Sequence, residues 1–461
     1  MIFKFIKIHH KFCLVSIIFL CSFANNSVYA SKQPLIRVLI SKDKTIRIRS
    51  DRSIPLTITG EMFSNKKIRG LTLKNDQNRK ILFFDKNKQK IYDLKYKQKF
   101  EVKSRDNRGI WVGQQRYSGK LNLYIIDSEI LVVNVIGIEN YLSSVVGSEM
   151  PAKWPIEALK AQAIASRTYA MKQKGNNLYD IDSTQKNQVY RGLEARTYKT
   201  IKAVRSTRSL VLIHKKKLIN ALFHSSSGGM TENSQDVWQN EYPYLSSVKD
   251  FDKNNPKLVW QKKFSNEKLQ EFFPTIGGVN SIEILNITKT GRVKNVKING
   301  DYGSKKLSGN DIRKILNLQS TLMRFKFIED SKNKANNENS IELPRDKLEN
   351  KPLTYIVKPG DNLTDIAATF KVNVYEIITL NEIKDGSLIN INQRLLIPQS
   401  PENQLIPIKQ TLLVSGLGSG HGVGMSQWGA RYMATRGEKA EDILINYYKG
   451  VKIRPFSRYF L

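Results

Sequence analysis

The chain has 461 residues, a formal net charge of +34, 40% hydrophobic residues and 9% aromatic residues. These proportions exclude a disordered polymer and leave room for two or more domains with cores of their own. Both cysteines, Cys13 and Cys21, fall in an N-terminal segment that reads as removable, which excludes structural disulfides and cysteine–zinc sites from the mature protein. No His-Glu-x-x-His spacing occurs, so a metalloprotease is a poor reading, and the sequence calls for no metal and no cofactor.

Residues 1–30 read as a targeting segment. Lys4, Lys7 and Lys11 form a basic start, 12–24 an apolar stretch, and Val28-Tyr29-Ala30 a cleavage site. Export to the periplasm or cell wall follows, with cleavage after Ala30; a retained N-terminal anchor is the alternative. The positive charge would draw the protein to polyanions, whether nucleic acid, anionic membrane surface or acidic wall polymer; export makes nucleic acid a poor reading and favours the wall. Compositional drift in a chain rich in Lys, Asn and Ile explains the same excess equally well.

Residues 31–110 alternate short branched and apolar runs with Asn, Asp and Gly, and predict a β-rich region. A second region, 111–330, continues with strand-like runs such as Leu121-Asn-Leu-Tyr-Ile125 and Leu131-Val-Val-Asn-Val135. The segment Tyr141-Leu-Ser-Ser-Val-Val-Gly-Ser-Glu149-Met-Pro-Ala-Lys-Trp-Pro155 then places Glu149 in a turn between a β-like run and a helix that starts near Ile156. Val145, Val146, Met150 and Trp154 crowd this acid, and the next acid is Glu157. A carboxyl in an apolar setting has its pKa raised and can serve as a general acid near neutrality. Helix entry at Pro155 would pull the other way, because a helix N-terminus favours negative charge. In the helix, Lys160 and Arg167 are seven residues apart and nearly share a face, where they and Gln162 either meet sugar hydroxyls and carboxylates or form a solvated polar stripe.

His224-Ser-Ser-Ser-Gly-Gly229 offers hydroxyls and backbone N–H groups but lacks a Gly-x-Ser-x-Gly elbow, so it reads as site-shaping, not as a nucleophile. Residues 331–352 and 399–410 read as linkers around a compact unit at 353–398. In Gly416-Leu-Gly-Ser-Gly-His-Gly-Val-Gly424 every other residue is glycine, so a strand there would have one bare face open to a sugar ring or another backbone. His421, Gln427 and Trp428 are candidates to bond and stack against glycan.

Two resemblances are specific. Residues 353–398, with Tyr355, Val357, Gly360-Asp361, Leu363, Ile366-Ala367, Phe370, Leu380-Asn381 and Ile397-Pro398, resemble the LysM module, a βααβ fold that binds N-acetylglucosamine-containing glycans. It implies glycan contacts at Gly360, Asp361, Asn362, Leu363, Asn390 and Ile391, with Asp361 or Asn362 capping the first helix. The blocks Tyr117-Ser-Gly119, Glu149-Met-Pro151, Trp154-Pro155, Glu157-Ala-Leu-Lys-Ala-Gln-Ala163, Arg167-Thr-Tyr-Ala170, Gln188-Val-Tyr-Arg-Gly192, Phe223–Gly229 and Gly420-His-Gly-Val-Gly-Met-Ser-Gln-Trp-Gly-Ala430 resemble the SpoIID/LytB (stage II sporulation protein D-like) family.

The resemblance implies an α+β, β-rich domain with a central helix, resumed at 411–461 after the LysM insert, that acts on peptidoglycan. It also implies that Glu149 is the single acid/base of a lytic transglycosylase giving 1,6-anhydro ends. Substrate contacts would come from Lys160, Gln162, Arg167, Tyr169, Gln188, Tyr190, His224, Ser225, Ser227, Gly228, His421, Gln427 and Trp428. The family's other branch implies a non-catalytic partner of an N-acetylmuramoyl-L-alanine amidase.

Overall fold

The computed structural model describes residues 33–51, 54–60, 63–75, 80–85, 88–93, 99–126, 129–238, 240–329, 352–370, 372, 374–383, 389–398 and 410–456. The expected targeting segment and most of both expected linkers lie outside these residues. The fold is α+β and rich in strand. Among the described residues no helix is long and apolar enough to cross a membrane. The chain forms two compact units, one running to Leu258 and resuming at Gly418, the other spanning Val259–Leu417. Where the chain leaves and re-enters the first unit, the Gly418 N–H donates to Leu258 O at 2.8 Å.

The first unit is built on a seven-stranded sheet ordered Ile181–Asp182, Leu35–Asp43, Glu129–Gly137, Lys120–Ile126, Lys99–Ser104, Leu56–Gly60 and Phe63–Ile68. Glu129–Gly137 is buried along nearly its whole length, which is why its apolar residues run on without alternation. A six-stranded sheet, including Thr45–Ser50 and Gly70–Asn75, shares the same core.

Helix α1, Ile138–Glu149, follows the central strand directly. This corrects the β-like reading of the same residues. The paired Val145 and Val146 favour strands, but Ile138, Tyr141, Leu142, Val145 and Val146 fall at helical spacing and are all buried. Burial of that face outweighs the weak intrinsic preference of branched side chains.

Helix α2, Ile156–Lys172, is buried on all sides over most of its length, with no solvated stripe. Lys160 is partly exposed and pairs with Glu157 at 2.7 Å. Arg167 is fully buried. Its Nε and Nη2 donate to the Glu139 carboxylate at 3.0 and 2.6 Å, and its Nη1 to Leu210 O at 3.1 Å. It therefore clamps α1, α2 and the strand Leu210–His214 together and is not available to sugar. Helix α3, Tyr198–Ser206, packs beside them, while α4, Gln427–Thr435, and α5, Ala440–Tyr447, come from the returning chain.

The second unit holds a three-stranded sheet with Gln410–Leu417 between Val259–Phe264 and Met323–Glu329. A meander of Ser281–Ile287, Val293–Gly300 and Gly303–Ser308 adds to its core of Trp260, Leu269, Val296, Ile312 and Leu412. Residues 353–398 form strand, two helices and strand around a separate small core of Val357, Leu363, Ile366, Ile377 and Leu395.

Removing the Arg167 guanidinium leaves Glu139 facing low dielectric without its partner. Arg167→Ala is expected to cost about 3–5 kcal/mol of unfolding free energy in urea titrations. Arg167→Met combined with Glu139→Leu should recover most of that loss, because no lone charge remains buried.

Candidate functional site around Glu149

Glu149 is the last residue of α1, not a residue of a turn entering α2. Met150–Pro155 separates it from the next helix, so the dipole acting on it is the negative end of α1. That reverses the electrostatic expectation: the nearest helix end now disfavours its charge. Oε1 accepts a hydrogen bond from the Val189 N–H at 2.7 Å, and Oε2 accepts from Gln427 Nε2 at 3.2 Å. Burial pushes the carboxyl above its ordinary value, while these two donors and the charge of Arg191 pull less strongly downward. The residue as a whole keeps some access to solvent.

Residues 188–191 are held so that Val189 can donate. Gln188 accepts from Tyr141 Oη at 3.0 Å and donates to Ser166 O at 3.2 Å, both deep in the core. Tyr190 Oη donates to Asn134 Oδ1 at 2.9 Å, and its ring packs between those of Tyr117 and Tyr141. Tyr169 Oη accepts from Asn187 at 2.9 Å. Gln188, Tyr190 and Tyr169 are thus buried supports of the segment, and Tyr190 also lines the groove beside it. Gln162 is also fully buried, bonded to Ser166 Oγ at 2.9 Å. A groove of about 520 Å³ runs past Val189 and Arg191, with Arg47, Gln115 and Ser183 along it.

The glycine-rich segment is not a strand with a bare face. Gly418, Gly420, Gly422 and Gly424 all have positive φ, between 74° and 109°, so the alternation meets a left-handed requirement at each second position. What approaches is the neighbouring 224–226 segment: a Cβ on Gly418 would meet Ser226 O at 2.6 Å, and one on Gly420 the Cβ of His224 at 2.7 Å. Phe223–His224 pairs in parallel with Met425–Ser426, and the Trp428 N–H donates to Ser225 O at 3.0 Å. Ser227 Oγ donates to Asp250, and the Gly228 N–H to Asp252 at 2.8 Å. His224 is buried with Nδ1 3.1 Å from Val423 O, and His421 Nδ1 accepts from the Val423 N–H at 3.1 Å. The 224–228 loop and the histidines therefore brace the return of the chain into α4. Among the described residues no group of three or more His, Cys, Asp or Glu is disposed to hold a metal ion.

Helix α4 delivers Gln427 to Glu149 and sets Trp428 edge-on to Trp154, with centroids 4.9 Å apart. The Arg431 guanidinium lies 4.8 Å from the Trp428 ring centroid. Of the sequence candidates, Glu149, Gln427 and Trp428 come together here. The Val189 amide and Arg431 are not among them: a backbone donor leaves no mark in side-chain chemistry, and Arg431 stands one residue past Ala430, where the motif ends.

In residues 353–398, Asn362 caps the helix by accepting from the Asp365 N–H at 2.9 Å, while Asp361 accepts from Tyr355 and the Lys358 N–H. Leu363 is a core residue with 4% exposure and so is not an exposed glycan contact. Ile356 pairs with Arg394, so the turns carrying Gly360 and Asn362 and those carrying Asn390 and Ile391 lie at one end of the ribbon. Both turns are exposed there.

A SpoIID (stage II sporulation protein) family model matches residues 126–214, and a LysM domain model matches residues 355–398. An uncharacterized protein of Brachyspira hyodysenteriae is 28% identical over 372 residues, 79% of this chain and 78% of that protein. The amidase enhancer of Bacillus subtilis (strain 168) is 31% identical over 320 residues, 68% of this chain but 40% of that protein. Stage II sporulation protein D of Bacillus amyloliquefaciens is 30% identical over 342 residues, 70% of this chain and 75% of that protein. Spanning three quarters of that relative at this identity, the chain belongs to the SpoIID family and carries a LysM domain.

Proposed function

We propose that the protein is an exported peptidoglycan lytic transglycosylase with Glu149 as its one acid/base. The observation that carries this reading is a desolvated carboxyl bonded to two neutral donors, a backbone amide and a side-chain amide. A hydrolase of the usual kind needs a second carboxylate to activate water or attack the sugar. Here the 6-hydroxyl of the N-acetylmuramic acid takes that part. Glu149 gives its proton to the departing O4 of N-acetylglucosamine as the C1–O4 bond breaks. The 6-oxygen bonds to C1 and passes its proton to the Glu149 carboxylate. Acid is regenerated, no water is consumed, and a 1,6-anhydro end remains.

Val189 and Gln427 fit the interval between the two proton transfers, since both donate to the ionised form. The partly exposed Trp428, with Trp154 behind it and Arg431 above, offers a face for a sugar ring. The LysM domain would hold glycan near the site and raise its effective concentration. The relative named amidase enhancer supports a second reading, in which the protein serves a partner amidase without cleaving glycan.

Purified protein incubated with glycan strands, intact or stripped of stem peptides, should yield 1,6-anhydromuramic ends by mass spectrometry. Glu149→Gln should lower the rate by about 10²–10⁴-fold. Absence of such ends from both substrates would favour the amidase-partner reading.

Because Glu149 must begin protonated, kcat/KM should fall as pH rises through a pKa above the ordinary carboxylate range. Gln427→Leu removes a donor to the charged form and so raises that pKa further. The alkaline limb should move to higher pH; a shift to lower pH would be incompatible with Glu149 as the acid.

Deleting residues 351–398 should weaken sedimentation with whole walls while leaving cleavage of short soluble glycans unchanged. Loss of both would mean that the LysM domain does more than tether.

A further inference from the structure

A second concavity of about 680 Å³ lies at the C-terminal end of α2, with Lys172, Lys174, Lys216 and Lys217 around it and Met171 and Ile213 beneath. Among the described residues no acidic residue lines it, and none of the four lysines is in an ion pair. The Leu212 N–H donates to Thr168 Oγ1 at 2.9 Å, which fixes the strand Leu210–His214 against α2. Its hairpin with Lys217–Leu218 therefore projects beside the end of the helix. His214 pairs with Lys217, so Lys215 and Lys216 make the whole turn, at φ 46° and 62°. Two-residue turns of this left-handed kind favour Asn-Gly, whereas long branchless cations gain nothing from that backbone. Four cations without an ion pair among the described residues converge here on a partly apolar floor, and two lysines hold turn positions that suit other residues.

We propose that this pocket binds a phosphodiester anion. The cations that line the pocket are all lysines, which meet phosphate as point charges, and four of them can be shared among the several oxygens of one phosphate group. Anionic phospholipid headgroups and glycerol-phosphate wall polymers share this chemistry. The site is independent of the cleavage reaction and would hold the enzyme to a phosphate-bearing surface.

The full chain would be sedimented with phosphatidylglycerol–phosphatidylcholine vesicles and, separately, titrated with soluble poly(glycerol phosphate). Saturable binding to either is expected, and the arm that responds identifies the source. Lys172→Glu with Lys217→Glu should weaken it at least about tenfold, at roughly one kcal/mol per lysine at an anionic surface. Lys305→Glu with Lys306→Glu, on the strand Gly303–Ser308, makes the same charge change elsewhere and should have less than about a twofold effect at matched salt. Lys215→Asn with Lys216→Gly supplies the residues that the turn favours, so it should raise Tm while weakening binding about fivefold. No saturable binding to either probe would overturn the proposal. So would equal losses in the pocket and control variants, since diffuse net charge would then account for the attraction.

Discussion

Everything around the candidate site turns on keeping one carboxyl partly out of water without stranding it. A buried ionised carboxylate with no partner costs several kcal/mol, and such a group normally takes up a proton instead. Glu149 occupies the middle ground. Burial raises its pKa, and two neutral donors keep the ionised form within reach. Neutral donors matter here. A lysine or arginine bonded directly to the carboxylate would hold it ionised at all working pH, and the group could no longer give up a proton.

That balance depends on segments far apart in sequence. Glu149 and Gln427 are 278 residues apart, and the whole second compact unit lies between them along the chain. The returning chain finds its place through the four left-handed glycines from 418 to 424, of which Gly418, Gly420 and Gly424 press against Ser226, His224 and Leu222. A side chain at Gly424 would collide with Leu222 O, and α4 with Gln427 follows three residues later. The Val189 donor depends in the same way on Gln188 and Tyr190, whose polar atoms are bonded to Tyr141 and Asn134 in the core. Polar residues that look like ligand contacts thus serve as anchors. Their bonds are satisfied inside the protein, and an unsatisfied partner there would be costly.

The apolar crowding of Glu149, the β-rich first unit, the central helix and the LysM pattern were legible in the sequence, because apolar spacing and composition report burial. What stayed hidden depends on direction or on backbone. Arg167 in an amphipathic reading belongs to a polar stripe; only the packing of α1 and α3 around α2 shows that no side of this helix faces water from Ala161 to Met171. The alternating glycines fit a bare strand face as readily as a left-handed loop, since spacing carries no φ. Val189 is an ordinary apolar residue whose contribution is its N–H. Val145 and Val146 drew attention to strand preference, although the 138, 141, 142, 145, 146 pattern already carried the helical period.

The placement of Glu149 by a few residues decides the sign of its electrostatics. At the start of α2 the helix dipole would favour the carboxylate and oppose the burial that raises its pKa. At the end of α1 the unsatisfied carbonyls point the other way, so dipole and burial act together. The remaining downward pull comes from two hydrogen bonds and from Arg191, and each is weaker than desolvation. A carboxyl poised in this way can hold a proton before the glycosidic bond breaks and still be stable enough as a carboxylate to take one back. Both halves of the proposed reaction require that poise, and a site with a second acid beside Glu149 would lose it, because like charges would raise one pKa too far for the return step.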